Sequence, residues 1–434
     1  MQLLSYQPLA EQLFDEIRAL SFDGVGVTRA SYGEGESATA EYLRAFALAQ
    51  GLRVQVDRAA NVVFSLPGDD PDAPAIWIGS HIDSVPQGGN FDGLAGVIAG
   101  LLALVARQRR HPTSGGGSAL PLKVIAFRGE ESAWFGKAYM GSSALLGKLA
   151  PADLQLKQRS TGQSLGECMA AVGADVQAIS LQEKLVDTRA IKAYLELHIE
   201  QGPVMDARDL PLAVVSGIRG NVRHNRIVCL GDAQHSGVVP RWLRHDAMFA
   251  VSDLIMRLDT HWRELLERGT DLVVTAGIVQ TDEAEHSISR IPGRVSFSLE
   301  ARSKSSDTLE AFYQLVQAEM ASISRERGVR FQNDRRLTSD PATMDPGLCD
   351  MLLQACRDNG IRHDTLPSGA GHDASLFANA GVPSAMLFVR NAHGSHNPHE
   401  AMAAADFAAA TRVLGQAMAE TAGLQRAAGL ETQP

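Results

Sequence analysis

Cysteine is scarce in this chain, and none of it forms a CxxC pair. The four are Cys168, Cys229, Cys349 and Cys356. Their number and spacing exclude a disulfide scaffold and a thiolate zinc site, and fit a reducing cytoplasm. A basic leader is missing as well. The opening MQLLSYQPLAEQLFDEIRAL carries acids among its apolar residues, so no signal peptide is expected. Long apolar runs are also lacking. The most apolar stretch, Gly93 to Ala106, is too short to span a bilayer. Basic charge is in deficit, with 40 Lys and Arg against 50 Asp and Glu and a formal net charge of −10. An acidic chain is a poor partner for nucleic acid or an anionic membrane, so neither is expected. No internal repeat or low-complexity tract stands out. Ser114–Gly117, inside the loop HPTSGGGSA (111–119), reads as a turn and not as a phosphate loop.

What is present is a core and a pattern. Hydrophobic residues make up 45% of 434 positions, enough for a core in more than one domain. Strand-like runs at Ala75–Ile82, Leu122–Phe127 and Ala193–Glu200 alternate with helical ones. Among the helical runs, Leu94, Val97, Ile98, Leu101, Leu102 and Val105 fall on one face. Such alternation predicts an α/β sheet with helices on its faces. The middle of the chain reads as α+β. Strands are expected at Arg226–Leu230, Leu272–Val279 and Val295–Glu300, with helices at Asp246–Leu258 and Asp307–Glu326. Helix and strand then resume at Pro346–Asp358, Ser384–Val389 and Ala401–Ala422. The expected organisation is a discontinuous catalytic domain (1–215 and 330–434) carrying one inserted domain (216–329).

Four segments carry chemistry. In GSHIDSVPQGGNFDG (79–93), His81 and Asp83 end a strand, and Asp92 sits in a glycine-rich loop before a helix. Imidazole and carboxylate suit Zn²⁺ or Mn²⁺, and Asp83 is placed to steady the His81 ring. In FRGEES (127–132), Glu130 and Glu131 follow an apolar strand. Adjacent acids are commonly just solvated, but sites in α/β sheets gather where strands end. One of the pair can ligate while the other stays free as a base. In LELHIEQGP (195–203), strand alternation sets Glu196, His198 and Glu200 opposite Leu195, Leu197 and Ile199. In GSHNPHE (394–400), His396 lies near His393 and His399, and chemistry alone leaves the choice among them open. Singly, each segment is also what a structural histidine or a solvated acid looks like. Together they supply enough donors for two ions bridged by one carboxylate.

With these blocks in order, the chain resembles the hydantoinase/carbamoylase branch of the M20 metallopeptidase-like amidohydrolases. That branch includes N-carbamoyl-L-amino-acid hydrolases, allantoate amidohydrolases and β-ureidopropionase of the yeast type. The resemblance also takes in Gly26–Arg29, Asp57…Asn61, GDAQHSG, IPGRVSFSLEAR and SGAGHDA. It implies a mixed-sheet, dinuclear-metal aminopeptidase-like catalytic domain with an inserted α+β lid and dimerisation domain. It implies two divalent ions per subunit, zinc first, with manganese, cobalt or nickel as alternatives. His81 and His198 would hold one ion, Glu131 and His396 the other, and Asp92 both. Glu130 would be the general base to a water between the ions. His235 would reach the active site of a neighbouring subunit in a homodimer. Gln201, Arg302, Gly371 and His372 match substrate-contact positions, with Arg302 suited to a carboxylate by its planar fork. The implied substrate is an N-carbamoyl amino acid or a ureido acid such as allantoate. The alternative within the same fold is an aminoacylase or dipeptidase. Two residues depart from the family pattern. Trp134 stands where the family often has Arg. Ser289 stands where it has a substrate-contacting Asn, and a hydroxyl is shorter and offers fewer donors than an amide.

Overall fold

The computed structural model describes residues 7–110, 120–285 and 287–423. The expected loop at 111–119 and the first six residues of the N-terminal segment lie outside the described residues. The described chain divides into two compact units, Met1–Ser216 with Thr343–Pro434, and Gly217–Ala342.

The first unit is built on an eight-stranded mixed sheet. Four neighbouring strands at its centre run parallel: Leu122–Phe127, Ala75–His81, Ile191–Ile199 and Ser384–Val389. Antiparallel strands flank them, Val62–Ser65 on one side and Leu212–Ile218 on the other. The central strands are short apolar runs because both faces of the sheet are covered. The Leu94–Arg110 helix departs from the expected one-sided pattern. Besides the anticipated stripe, Ala95, Ala99 and Leu104 are buried. The helix lies between the sheet and the Ala404–Thr421 helix, so from Leu94 to Ala106 it is apolar all round. Among the described residues, no helix is long and apolar enough to cross a membrane, and all four cysteines are free.

The second unit has a separate core around Ile227, Leu254, Phe297, Phe312 and Ile323. The helices Ala247–Glu267 and Ser306–Arg327 contribute to it, with Asp246 capping the first through Met248 N and Phe249 N. Two readings need correction. The unit runs to Ala342 and not Val329, because Arg330–Asn333 and Leu337–Ser339 both pair with the Gly220–Leu230 strand. The strand expected at Leu272–Val279 is two short ones, Val273–Thr275 and Val279–Thr281. They pair with either end of Arg294–Ser303, whose register slips between Phe297 and Leu299. At the slip, Ser298 Oγ accepts the Ile278 N–H at 3.0 Å in place of a ladder bond.

Candidate metal centre

The parallel strands all deliver their carboxyl ends to one place. His81 is the last residue of its strand, and His198 lies one residue from the end of the next. Glu130 and Glu131 follow the third, and His396 comes from the loop after the fourth. Asp92 sits in the turn between His81 and the Leu94–Arg110 helix. Gly93 makes that turn possible. Its φ is +66°, and a Cβ there would stand 2.5 Å from the His81 ring.

Asp92 is the hub. Its Oδ1 faces His198 Nε2 at 3.1 Å and His81 Nε2 at 3.6 Å. Its Oδ2 faces His396 Nε2 at 3.3 Å, and the same nitrogen lies 3.4 Å from Glu131 Oε1. The donor atoms thus form two clusters, His81–Asp92–His198 and Asp92–Glu131–His396, sharing one carboxylate. A third grouping joins His81 to Glu130 and Glu131, with Glu130 Oε2 3.9 Å from His81 Nε2.

The donor set fits divalent cations. Asp92 Oδ1 is buried and meets no hydrogen-bond geometry, although two imidazole nitrogens point towards it. Those nitrogens, His81 Nε2 and His198 Nε2, are only 3.5 Å apart. Converging imidazoles around an orphaned carboxylate oxygen are what a cation would satisfy, and oxygen and nitrogen donors suit Zn²⁺ or Mn²⁺. The electrostatics agree. Burial alone would raise the Asp92 carboxyl, but the His198, His396 and His81 rings outweigh it and hold it well below the usual range. Asp92, then Glu131, raises the His396 imidazole to about 10 against the opposing effect of burial. Such a cluster takes up protons or a cation in their place. Burial pushes Glu130 well above the usual carboxyl range; the charge of His81 opposes this, and those of Glu131 and Asp373 add to it.

Asp83 ties the cluster together. It accepts the backbone N–H of Glu130 and of Glu131, each at 3.0 Å, and the Ser31 hydroxyl at 2.6 Å. Its Oδ1 lies 3.3 Å from His81 Nδ1. Gln201, in the left-handed region at φ +63°, donates its amide to Asp92 Oδ2 at 2.9 Å. His396 is held in the same region at φ +59°, a conformation kept only where surroundings over-determine it. Of the three neighbouring histidines, only His396 joins a donor cluster among the described residues. His372 is buried, with its Nε2 2.8 Å from Ser368 Oγ and its ring edge-on to His198 at 4.4 Å. Gly371 leaves no room for a side chain, since a Cβ would meet the Tyr139 hydroxyl. Trp134 is buried and donates from Nε1 to the Ser84 carbonyl at 2.8 Å, bracing the loop that carries Asp92.

Sequence reasoning missed three supports. Glu400 accepts the N–H groups of Phe91 and Asp92 at 2.8 and 3.2 Å. Ser395 Oγ lies 2.7 Å from Asp92 Oδ2 and 2.6 Å from Glu400 Oε2. Burial, then the charge of Asp92, raises the Glu400 carboxyl to about 7. Below that, it can supply the second proton of this chain. Glu196, buried beside His198 and His372, accepts from Ser80 Oγ and Ala374 N. Its place opposite the apolar stripe of its strand was the available signal.

In the second unit, His235 and Ser289 share a small ribbon, since Gln234–His235 pairs with Arg290–Ile291. Gly237 N donates to His235 Nδ1 at 3.1 Å, which leaves the proton of the neutral ring on Nε2. Arg302 lies on the Arg294–Ser303 strand, its guanidinium forked onto Glu300 at 3.0 and 3.1 Å.

A sequence profile of Peptidase family M20/M25/M40 matches residues 77–420. An N-carbamoyl-L-amino acid amidohydrolase of Geobacillus stearothermophilus is 34% identical over 391 residues, 90% of this chain and 92% of the relative. Allantoate amidohydrolase of Escherichia coli is 29% identical over 90% of this chain and 91% of its own length. Among solved structures, a hydantoinase/carbamoylase-family amidase from Burkholderia multivorans superposes with TM-score 0.83 at 26% identity, covering 96% of this chain and 98% of that one. AtUAH in complex with (S)-hydroxyglycine superposes with TM-score 0.71 at 26% identity, over 96% and 97% of the two chains.

Proposed function

The chain belongs to Peptidase family M20/M25/M40, and on that footing we propose that it hydrolyses a C–N bond of an N-carbamoyl amino acid or a related ureido acid such as allantoate. The observation that carries this reading is the pair of donor clusters sharing Asp92, with Glu130 beside them. His81 and His198 would hold one divalent ion, Glu131 and His396 the second, and Asp92 both. Zinc is the first choice, with manganese, cobalt or nickel also suited to the donors. The ions would supply Lewis acidity, easing proton loss from water and polarising the ureido carbonyl. Glu130 takes that proton at a carboxylate oxygen and returns it to the leaving nitrogen. His235 donates from Nε2 to the carbonyl oxygen as negative charge gathers there. Arg302 grips the substrate carboxylate, and Gln201, Gly371 and His372 border the substrate. The free cysteines fit a cytoplasmic setting.

Chelation is expected to abolish hydrolysis and added divalent metal to restore it. The reconstituted enzyme should then be screened on N-carbamoyl, N-formyl and N-acetyl amino acids, allantoate and dipeptides. Turnover of the ureido acids ahead of the others supports the proposal. Full activity in metal-free protein ends it, and preference for acetyl amino acids or dipeptides moves the enzyme to the aminoacylase or dipeptidase type.

We propose also that the working form is a homodimer in which His235 serves the partner's centre and the Gly217–Ala342 unit supplies the lid and the contact. Support comes from exposed apolar side chains on this unit. Trp242 is 81% exposed, and Phe249 and Met256, on one face of the Ala247–Glu267 helix, are 63% exposed. Mixing inactive Glu130→Gln subunits with inactive His235→Ala subunits is expected to regenerate activity, because one centre of a mixed dimer then holds both native groups. No recovery under conditions of proven subunit exchange assigns His235 to its own chain.

A further inference from the structure

The ribbon that carries His235 places a second side chain beside it. Arg290 and His235 are direct cross-strand partners. Ser236 N donates to Ser289 O at 2.8 Å, which makes the 235/290 position the non-hydrogen-bonded pair of the ladder. Side chains at such a pair stand on one face at their closest, with Cβ atoms roughly 4.5–5.5 Å apart. Side chains alternate along a strand, so Ser289 faces the other way. Whatever substrate atom meets His235 therefore comes within reach of the Arg290 guanidinium, and not of Ser289.

Arg290 is available for such a contact. Its described ion-pair partner is Glu285, 3.5 Å away, with both side chains more than 40% exposed. A pair that loose and that wet exchanges readily. Arg290 also borders a cavity of about 430 Å³, together with Ser287 and Arg294. A guanidinium next to an imidazole N–H donor suits a carboxylate, which it can take in two parallel hydrogen bonds.

We propose that Arg290 is a specificity-determining residue that binds a second acidic group of the substrate. The preferred substrate is then the N-carbamoyl derivative of a dicarboxylic amino acid. This rests on the reading of the enzyme as an N-carbamoyl hydrolase with His235 at the substrate. It adds a role for Arg290 and an acid on the substrate side chain.

The test compares kcat/KM of the metal-loaded full chain on N-carbamoyl-L-aspartate, N-carbamoyl-L-glutamate and N-carbamoyl-L-alanine. The wild type is expected to favour one of the acidic substrates over the alanine derivative by about tenfold or more, the scale of one charge-assisted contact. Arg290→Leu should erase that ratio, and Arg290→Lys should keep part of it. Glu285→Gln, which removes the competing carboxylate, should raise the ratio. An acid-to-alanine ratio unchanged by Arg290→Leu overturns the proposal, as does a wild type that favours the alanine derivative. Failure of the wild type to hydrolyse any of the three defeats the underlying reading instead, and is told apart by that total loss.

Discussion

Glu130→Gln is expected to lose about 10²–10⁴-fold in kcat, the usual worth of a general base, while binding as much metal as the wild type. The substitution keeps the shape of a buried side chain and removes its basicity. Glu130 stands apart from the two clusters that share Asp92. Its nearest approach to a ring nitrogen is 3.9 Å, against 3.4 Å for Glu131. Its backbone N–H is anchored on Asp83, so the amide side chain inherits a fixed position. Metal content by elemental analysis and single-turnover rates, taken on the same preparation, separate base from ligand. If the variant loses metal in proportion to activity, Glu130 is a ligand.

Asp92→Ala should be worse in a different way, emptying both ion positions at once. Its two oxygens serve separate clusters, so among the described residues no other single residue faces three imidazoles. The expected signature is loss of bound metal altogether, with activity down more than about 10⁴-fold, beyond what removal of the base gives. Glu131→Ala, by contrast, removes a donor from one cluster only and should leave part of the metal in place. Wild-type metal content in Asp92→Ala would show that the carboxylate does not bridge.

Much of this architecture could be read from residue order, and the exceptions have identifiable causes. Leu122–Phe127, Ser384–Val389 and Pro346–Asp358 begin and end where the pattern placed them, because short apolar runs or a Pro at N1 mark them sharply. The Leu272–Val279 run failed because its break lies where Ser298 Oγ of the partner strand takes the Ile278 N–H, and local composition does not encode that pairing. At the site, the ligand-type residues were visible because chemistry restricts them to His, Asp and Glu. Of the residues that aim them, Asp83 was visible beside His81, but Ser31, Ser395 and Glu400 were not. Glu400 and Phe91 are 309 positions apart, and Ser31 and Asp83 are 52 apart. Contacts of that span follow from sheet order, and no spacing rule reaches them.

The strand Ser384–Val389 lies between Ile191–Ile199 and Leu212–Ile218, both made far earlier in the chain. During synthesis, the sheet therefore waits with a gap in its middle until nearly nine-tenths of the polypeptide has left the ribosome. The whole Gly217–Ala342 unit, with its own core, emerges and can fold during that wait. His396 arrives last of the proposed ligands, twelve positions after the strand that carries its loop begins at Ser384. The full donor set is thus complete only after Ser384–Val389 has closed the sheet. The cost is a long interval in which the apolar edges of two central strands stand open, when chaperone capture or aggregation competes with completion of the sheet.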